Sequence, residues 1–143
     1  MSYKALSYDI SAQKGTDFIF YVKYLDVNNS EVDLVSSGYT ASMQVREYPE
    51  SSSKALDFSS TVFGSGGVTA GSVGGSGGIL LNSSFTGDTG GTGTTGGIYV
   101  FADATTMGSV TAGRHFYELD LLKGRNVIRL VQGRMDIDED LRR

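Results

Sequence analysis

Wherever apolar side chains cluster along this chain they alternate with polar ones at a period of two, the spacing of a strand with one buried and one wet face. From Thr16 to Lys23 the alternation sets Phe18, Phe20 and Val22 against Asp17, Ile19, Tyr21 and Lys23. Asp26-Val-Asn-Asn-Ser-Glu31 follows as a polar turn, asparagine tolerating a positive φ better than other residues with a β-carbon. Leu34 to Gly38 leads into the most regular segment, Tyr39 to Arg46, where Tyr39, Ala41, Met43 and Val45 face one way and Thr40, Ser42, Gln44 and Arg46 the other. A turn at Tyr48-Pro-Glu-Ser-Ser-Ser53 precedes a short strand around Ala55 to Phe58.

From Gly64 to Gly97 the alternation lapses into glycine, serine and threonine, interrupted by Gly78-Ile-Leu-Leu-Asn82, which predicts one short strand between two glycine-rich loops. The pattern returns in Gly97 to Ala102. Asp103 then has the chemistry to cap a single helical turn that Gly113 ends. His115 to Leu122 resumes the alternation with Tyr117, Leu119 and Leu121 inward, Lys123-Gly-Arg-Asn126 turns the chain, and Val127 to Ile137 returns. Gly133 marks a bulge or a close approach, because the inward set changes from Ile128 and Leu130 to Val131, Met135 and Ile137 around it. Seven or eight strands at this spacing predict an all-β, antiparallel sandwich with one short helical turn and long glycine-rich loops, a small barrel being the alternative. The shared phase makes Phe18, Phe20, Val22, Tyr39, Met43, Val45, Ile98, Val100, Tyr117, Leu119, Leu121, Met135 and Ile137 the expected core.

At 143 residues the chain is expected to form a single domain, 1–143, able to bury roughly two thirds of its unfolded surface without a metal or disulfide. The alternating strand running to Ile137 and the charged end Asp138-Glu-Asp-Leu-Arg-Arg143 favour the same reading. With no cysteine, neither a disulfide framework nor a thiolate metal site is available. A net charge of −4 with no basic run longer than Arg142-Arg143 argues against a nucleic-acid partner. The longest apolar run, Phe18 to Val22, is far short of the ~20 residues a membrane helix needs, so no membrane partner is expected. The amino terminus lacks the pattern of a secretion signal.

Three groups have the residue types of a reactive or binding site, and each lacks its context. His115 has no nucleophile elbow to serve, and reads as a half-exposed structural histidine on a strand. Asp136, Asp138, Glu139 and Asp140 offer oxygen ligands but not the spacing of a calcium loop, and read as a solvated, partner-facing cluster. Gly90-Gly-Thr-Gly-Thr-Thr-Gly-Gly97 is followed by a strand, where a phosphate-cradling loop needs Lys-Ser/Thr and a helix. No catalytic residue, cofactor or metal is therefore expected.

Asp17 to Val22, Gly38 to Arg46, Gly97 to Thr106, Ala112 to Leu121 and Leu130 to Ile137 together resemble a recurring type of small virion protein of tailed phages. The resemblance spans nearly the whole chain. It implies an immunoglobulin-like β-sandwich similar to the amino-terminal attachment module of phage baseplate upper proteins. The implied role is a non-enzymatic structural protein of a tail, baseplate or fibre-attachment region, partnered by other virion proteins in multiple copies and located in the virion. The chain departs from the pattern in its long segments Gly64 to Gly78 and Phe85 to Gly97 and in lacking a proline before its closing acidic residues. A host-glycan-binding module using the glycine-rich loops, or a head-decoration protein, is the alternative; Phe63 and Phe85 are the aromatics near those loops. If the strands at Phe18 and Ile98 pair as the second and fifth strands of such a sandwich do, Ile19, Tyr21, Tyr99 and Phe101 lie side by side as an apolar protein-interface patch, unless a loop of the same chain covers them.

Overall fold

The computed structural model describes residues 6–25, 28, 33–48, 50, 54–61, 63–71, 73–82 and 96–138. Among these residues the chain forms β1 (Leu6–Ser7), β2 (Ile10–Gln13), β3 (Phe18–Lys23), β4 (Thr40–Arg46), β5 (Leu56–Ser59), β6 (Gly64–Ala70), β7 (Val73–Leu81), β8 (Gly97–Ala102), α1 (Ala104–Gly108), β9 (Gly113–Lys123) and β10 (Asn126–Asp138). The strands are hydrogen-bonded in the order β1-β10-β9-β4-β5-β6-β7-β8-β3, with β2 also on β10. Within it, β10-β9-β4 is the G-F-C order of an immunoglobulin domain and β7-β8-β3 is its D-E-B order, with β5 and β6 as the extra strands of the variable type. The fold is thus an all-β, immunoglobulin-like sandwich whose two layers stay joined along β5 and β6.

The expected core is in the expected phase. Phe18, Met43, Val45, Ile98, Val100, Tyr117, Leu119, Leu121, Met135 and Ile137 are buried, while Phe20, Val22 and Tyr39 are half-buried against them. β3 carries two contacts between the layers: Phe18 packs on Phe58 with ring centroids 6.0 Å apart, and Phe20 meets Tyr117 edge-on at 5.9 Å. The second contact spans the B and F strands, which a disulfide joins in antibody domains.

Tyr117 also fastens the amino terminus. Its hydroxyl donates to the Tyr8 carbonyl at 2.6 Å, the Tyr8 amide donates to the Gln132 carbonyl at 3.0 Å, and the Tyr8 ring stacks on Phe20 at 6.0 Å. Gly133 makes this possible, since a β-carbon there would collide with the Tyr8 carbonyl. The close approach expected at Gly133 is therefore present. The phase change has a separate origin three residues earlier, where a bulge between Arg129 and Val131 lets Leu130 and Val131 both turn inward.

Five expectations are corrected. The described residues form ten strands, not seven or eight. Two of the additions, β1 and β2, run parallel to β10, so the sheet is not wholly antiparallel. Their brevity and mostly exposed residues left no alternation to read. Residues 64–81 are not a loop and a short strand but the hairpin β6–β7, which glycine hides because it has no side chain to mark a face while its amide and carbonyl still pair. The second glycine-rich segment, 83–95, lies outside the described residues. His115 is buried, not half-exposed, because it shares the inward phase of Tyr117, and its Nδ1 lies 3.1 Å from the Gly113 carbonyl. Helix α1 ends at Gly108 rather than at Gly113, with the Ser109 amide donating to the Thr106 carbonyl at 3.1 Å.

Two carboxylates pin the turns that join the layers. Asp103 caps α1 as expected: its Oδ1 accepts from the Thr106 hydroxyl at 2.6 Å and the Thr106 amide at 2.9 Å. Thr106 Oγ1 in turn accepts from the Ser76 amide of β7 at 3.0 Å. Asp33 Oδ1 accepts from the Ser36 amide at 3.1 Å and from the side-chain amide of buried Asn82 at 2.8 Å, and Asn82 Oδ1 accepts from the Leu34 amide at 2.8 Å. Hydrogen bonds from Thr106 to Asp103, and from Ser36 and then Asn82 to Asp33, hold both carboxyls below their ordinary value of 3.8.

Because both carboxyls bind protons less tightly in the folded state, the stability they add is complete above about pH 4 and is lost as pH falls through their lowered folded values. Thermal melts should therefore fall off in acid, and Asp33→Asn with Asp103→Asn should flatten that decline, asparagine still being able to cap; an unchanged slope in the double variant would remove the explanation. In urea unfolding, Phe20→Ala should cost about 3 kcal/mol by deleting the ring between the layers, and Tyr117→Phe about 1 kcal/mol by deleting only the bond to Tyr8.

Candidate protein-contact face on strands β3 and β8

Strands β3 and β8 pair antiparallel with Ile19 opposite Phe101 and Tyr21 opposite Tyr99. The structure thus brings all four expected residues onto neighbouring positions of one outer face, with Phe18, Ile98 and Val100 pointing to the core on the other. On the far side of β8, β7 sets Leu80 opposite Tyr99 and Gly78 opposite Phe101. The Tyr99 and Phe101 rings lie nearly parallel, 6.4 Å apart at 11°, and Phe63 leans over Phe101 at 6.2 Å. The four differ in exposure: Ile19 is 56 % exposed, Tyr21 and Phe101 are half-buried, and Tyr99 is only 8 % exposed between its cross-strand neighbours. Phe63 and Leu80 belong to the same face and were not assigned to it from the sequence. Among glycines the phase of Leu80 could not be read, and Phe63 follows a strand that ends at Ser59.

The tight seat of β7 on β8 depends on glycine. Gly77 has φ +151°, a conformation that side chains rarely adopt, and a β-carbon there would collide with the Phe101 carbonyl. Gly78, opposite Phe101, is buried. Gly77→Ala should therefore destabilise the fold by about 2–4 kcal/mol and open the β7–β8 pairing first, read as faster amide exchange of residues 98–101 than of β9. Uniform loss of protection across β8 and β9 would count against a local role.

The outer face of β10, β9 and β4 has the opposite character. Thr40, Ser42, Gln44, Glu118, Asp120, Arg134 and Asp136 point outward, and Phe116, Leu122 and the exposed Val127 are apolar residues in the same phase. Arg129 bridges Asp120 at 3.1 Å and Glu118 at 3.3 Å, and Arg46 reaches the other Glu118 oxygen at 3.8 Å. The hydrogen bond that Arg129 donates to Asp120, helped by the charges of Asp120 and Glu118, pushes the Arg129 guanidinium pKa further up. Asp136 lies 3.8 Å from Arg114 and 3.7 Å from Arg134, so one member of the terminal acidic cluster is engaged by arginines. Asp138 is exposed, and Glu139 and Asp140 lie outside the described residues. A groove of about 390 Å³ crosses this face, lined by Ser7, Asp9, Arg46, Phe116, Glu118 and Arg134 among others. Among the described residues no group of three or more histidine, aspartate and glutamate side chains is placed to hold a metal.

Fold and faces together define an immunoglobulin-like domain with one charged outer sheet and one apolar one. No protein-family model matches the chain, and no curated protein matches it. Among solved structures it is similar to the extracellular domain of the voltage-gated sodium channel β4 subunit, at 9 % identity and a TM-score of 0.41, over 99 % of this chain and 98 % of that one. That domain is described as forming parallel homodimers that explain its role in cell–cell adhesion. At this level of superposition the likeness carries no functional argument, and the fold class rests on the strand order itself.

Proposed function

We propose that the protein is a non-enzymatic structural component of a tailed-phage particle, placed in its tail, baseplate or fibre-attachment region and acting through protein–protein contacts. The observation that carries the contact role is the β3–β8 face, where Ile19, Tyr21, Tyr99 and Phe101 adjoin on the outside of a sheet. Apolar side chains gathered on an outer face, with Ile19 and Phe63 exposed and Tyr21 and Phe101 half-exposed, favour burial against a partner, while the salt-bridged face of β4, β9 and β10 is suited to water. The phage assignment itself rests on the sequence resemblance, which is an argument by analogy. The host-glycan alternative loses one of its two loops, since residues 64–81 are paired as a hairpin and Phe63 is engaged with Phe101.

Ile19→Ser with Tyr21→Ser should leave the domain folded, the exposed Ile19 position costing within about 0.5 kcal/mol, and should exclude it from particles. Gradient-purified particles from lysates of producing cells, probed for the chain by mass spectrometry, would contain the unsubstituted protein and lack the variant. Absence of the unsubstituted protein from particles would overturn the virion role, and normal incorporation of a folded variant would overturn the assignment of the face.

A further inference from the structure

We propose that the groove on the outer face of β4, β9 and β10 binds an uncharged saccharide, one sugar ring of which lies flat on Phe116. The ladder registers arrange its lining in two rows that cross the sheet. In the first, Ser7 is opposite Gln132, Gln132 opposite Glu118, and Glu118 opposite Gln44. Two residues away on each strand, Arg134 is opposite Phe116 and Phe116 opposite Arg46, while Asp9 ends the row by accepting from the Arg134 amide at 3.1 Å. Both rows line the groove of about 390 Å³. At ordinary strand spacing such a floor measures about 14 Å across the strands and about 7 Å along them, room for two sugar rings end to end.

The lining selects its ligand by chemistry. Arg46 and Arg134 offer donors alone, Asp9 and Glu118 acceptors alone, and Ser7, Gln44 and Gln132 both. The cations and anions of the groove balance, which leaves no surplus charge to hold a polyanion. Arg46 lies 3.8 Å from Glu118 and Arg134 lies 3.8 Å from Asp9, both beyond hydrogen-bonding distance. Arg134 Nε is shut off from solvent and has no hydrogen-bond partner among the described residues, Asp136 Oδ2 being 3.7 Å away. A buried donor in that state is rare and costly, and a ligand oxygen reaching it from the groove satisfies it. A sugar hydroxyl donates and accepts at once, so it can meet either kind of group, and the C–H face of a pyranose packs on a flat ring. A peptide cannot add here as a strand, because β4, β9 and β10 each have hydrogen-bonded neighbours on both sides.

This inference goes beyond the contact role and is independent of it, since neither β3, β8 nor a glycine-rich segment lines the groove. The isotope-labelled full chain, titrated with maltose, cellobiose, lactose, mannobiose and diacetylchitobiose to about 20 mM, should respond to at least one of them with a dissociation constant of about 1 mM. The response expected is a saturable shift of the amide resonances of residues 44–46, 116–118 and 132–134. Gln132→Ala, at an exposed position, should weaken binding about threefold or more, as should Arg134→Lys, which keeps the charge and loses the planar donors. Phe116→Ala should weaken it about tenfold, and Phe116→Leu, which keeps apolar bulk without the flat ring, serves if the alanine variant does not fold. Amide dispersion reports folding in the same spectra. Silence from all the saccharides, saturable shifts only with sodium glucuronate or a glutamate-rich peptide, shifts confined to other residues, or folded variants of undiminished affinity would each overturn the proposal. Because the two sites share no residue, the Ile19→Ser, Tyr21→Ser variant should bind the saccharide as tightly as the unsubstituted chain, whether or not it enters particles.

Discussion

The fold depends on how a single curled sheet is closed without a bond between its ends. The hydrogen-bonded order starts at β1 and finishes at β3, and neither cysteine nor a β1–β3 ladder joins them among the described residues. Closure falls to aromatic packing: Phe20 on β3 stands edge-on to Tyr117 on β9, and Tyr8 stacks on the same ring. Edge-to-face rings add specific geometry to burial, which suits them to holding two layers in one orientation. The hydroxyl of Tyr117 adds a directed bond to the Tyr8 carbonyl, so one residue holds both the sandwich and the amino-terminal strand. Desolvation of that phenol, reinforced by the nearby Asp9 charge, pushes its pKa well above the ordinary tyrosine value, keeping it protonated and able to donate.

Given that closure, the two outer faces divide by chemistry. On β4, β9 and β10 the outward positions are mostly polar, and opposite charges meet across strands, Arg129 between Glu118 and Asp120 being the centre. Exposed pairs of this kind contribute little to stability individually, but they keep a flat sheet hydrated. On β3 and β8 the outward positions are apolar, and β7 is drawn close enough by Gly77 for Leu80 to flank Tyr99. The glycines of β7 are thus positional, supplying conformations and closeness that other residues lack.

Most of the sandwich is legible in the sequence because a strand with one wet face writes its geometry as alternation. β3, β4, β8, β9 and β10 are readable in this way, down to which residues turn inward, and so is the cap at Asp103, whose side chain acts within three residues of itself. The lateral order of Ile19, Tyr21, Tyr99 and Phe101 also follows once β3 and β8 are paired by analogy with the second and fifth strands of such a sandwich. Local pattern and fold agree in these segments, and that consistency is what makes them readable.

What the sequence by itself determined, then, is the all-β class, the inward and outward sets of the regular strands and the contrast between the two faces, because each depends on a period of two that side chains display. Only the tertiary structure decided that residues 64–81 form a hairpin, that β1 and β2 run parallel to β10, that His115 is buried, and that Tyr99 is screened while Ile19 is exposed. Those outcomes depend on main-chain hydrogen bonds and on the shapes of distant neighbours. Glycine carries the first without leaving a mark in the pattern, and the second exist only once the sheet has closed.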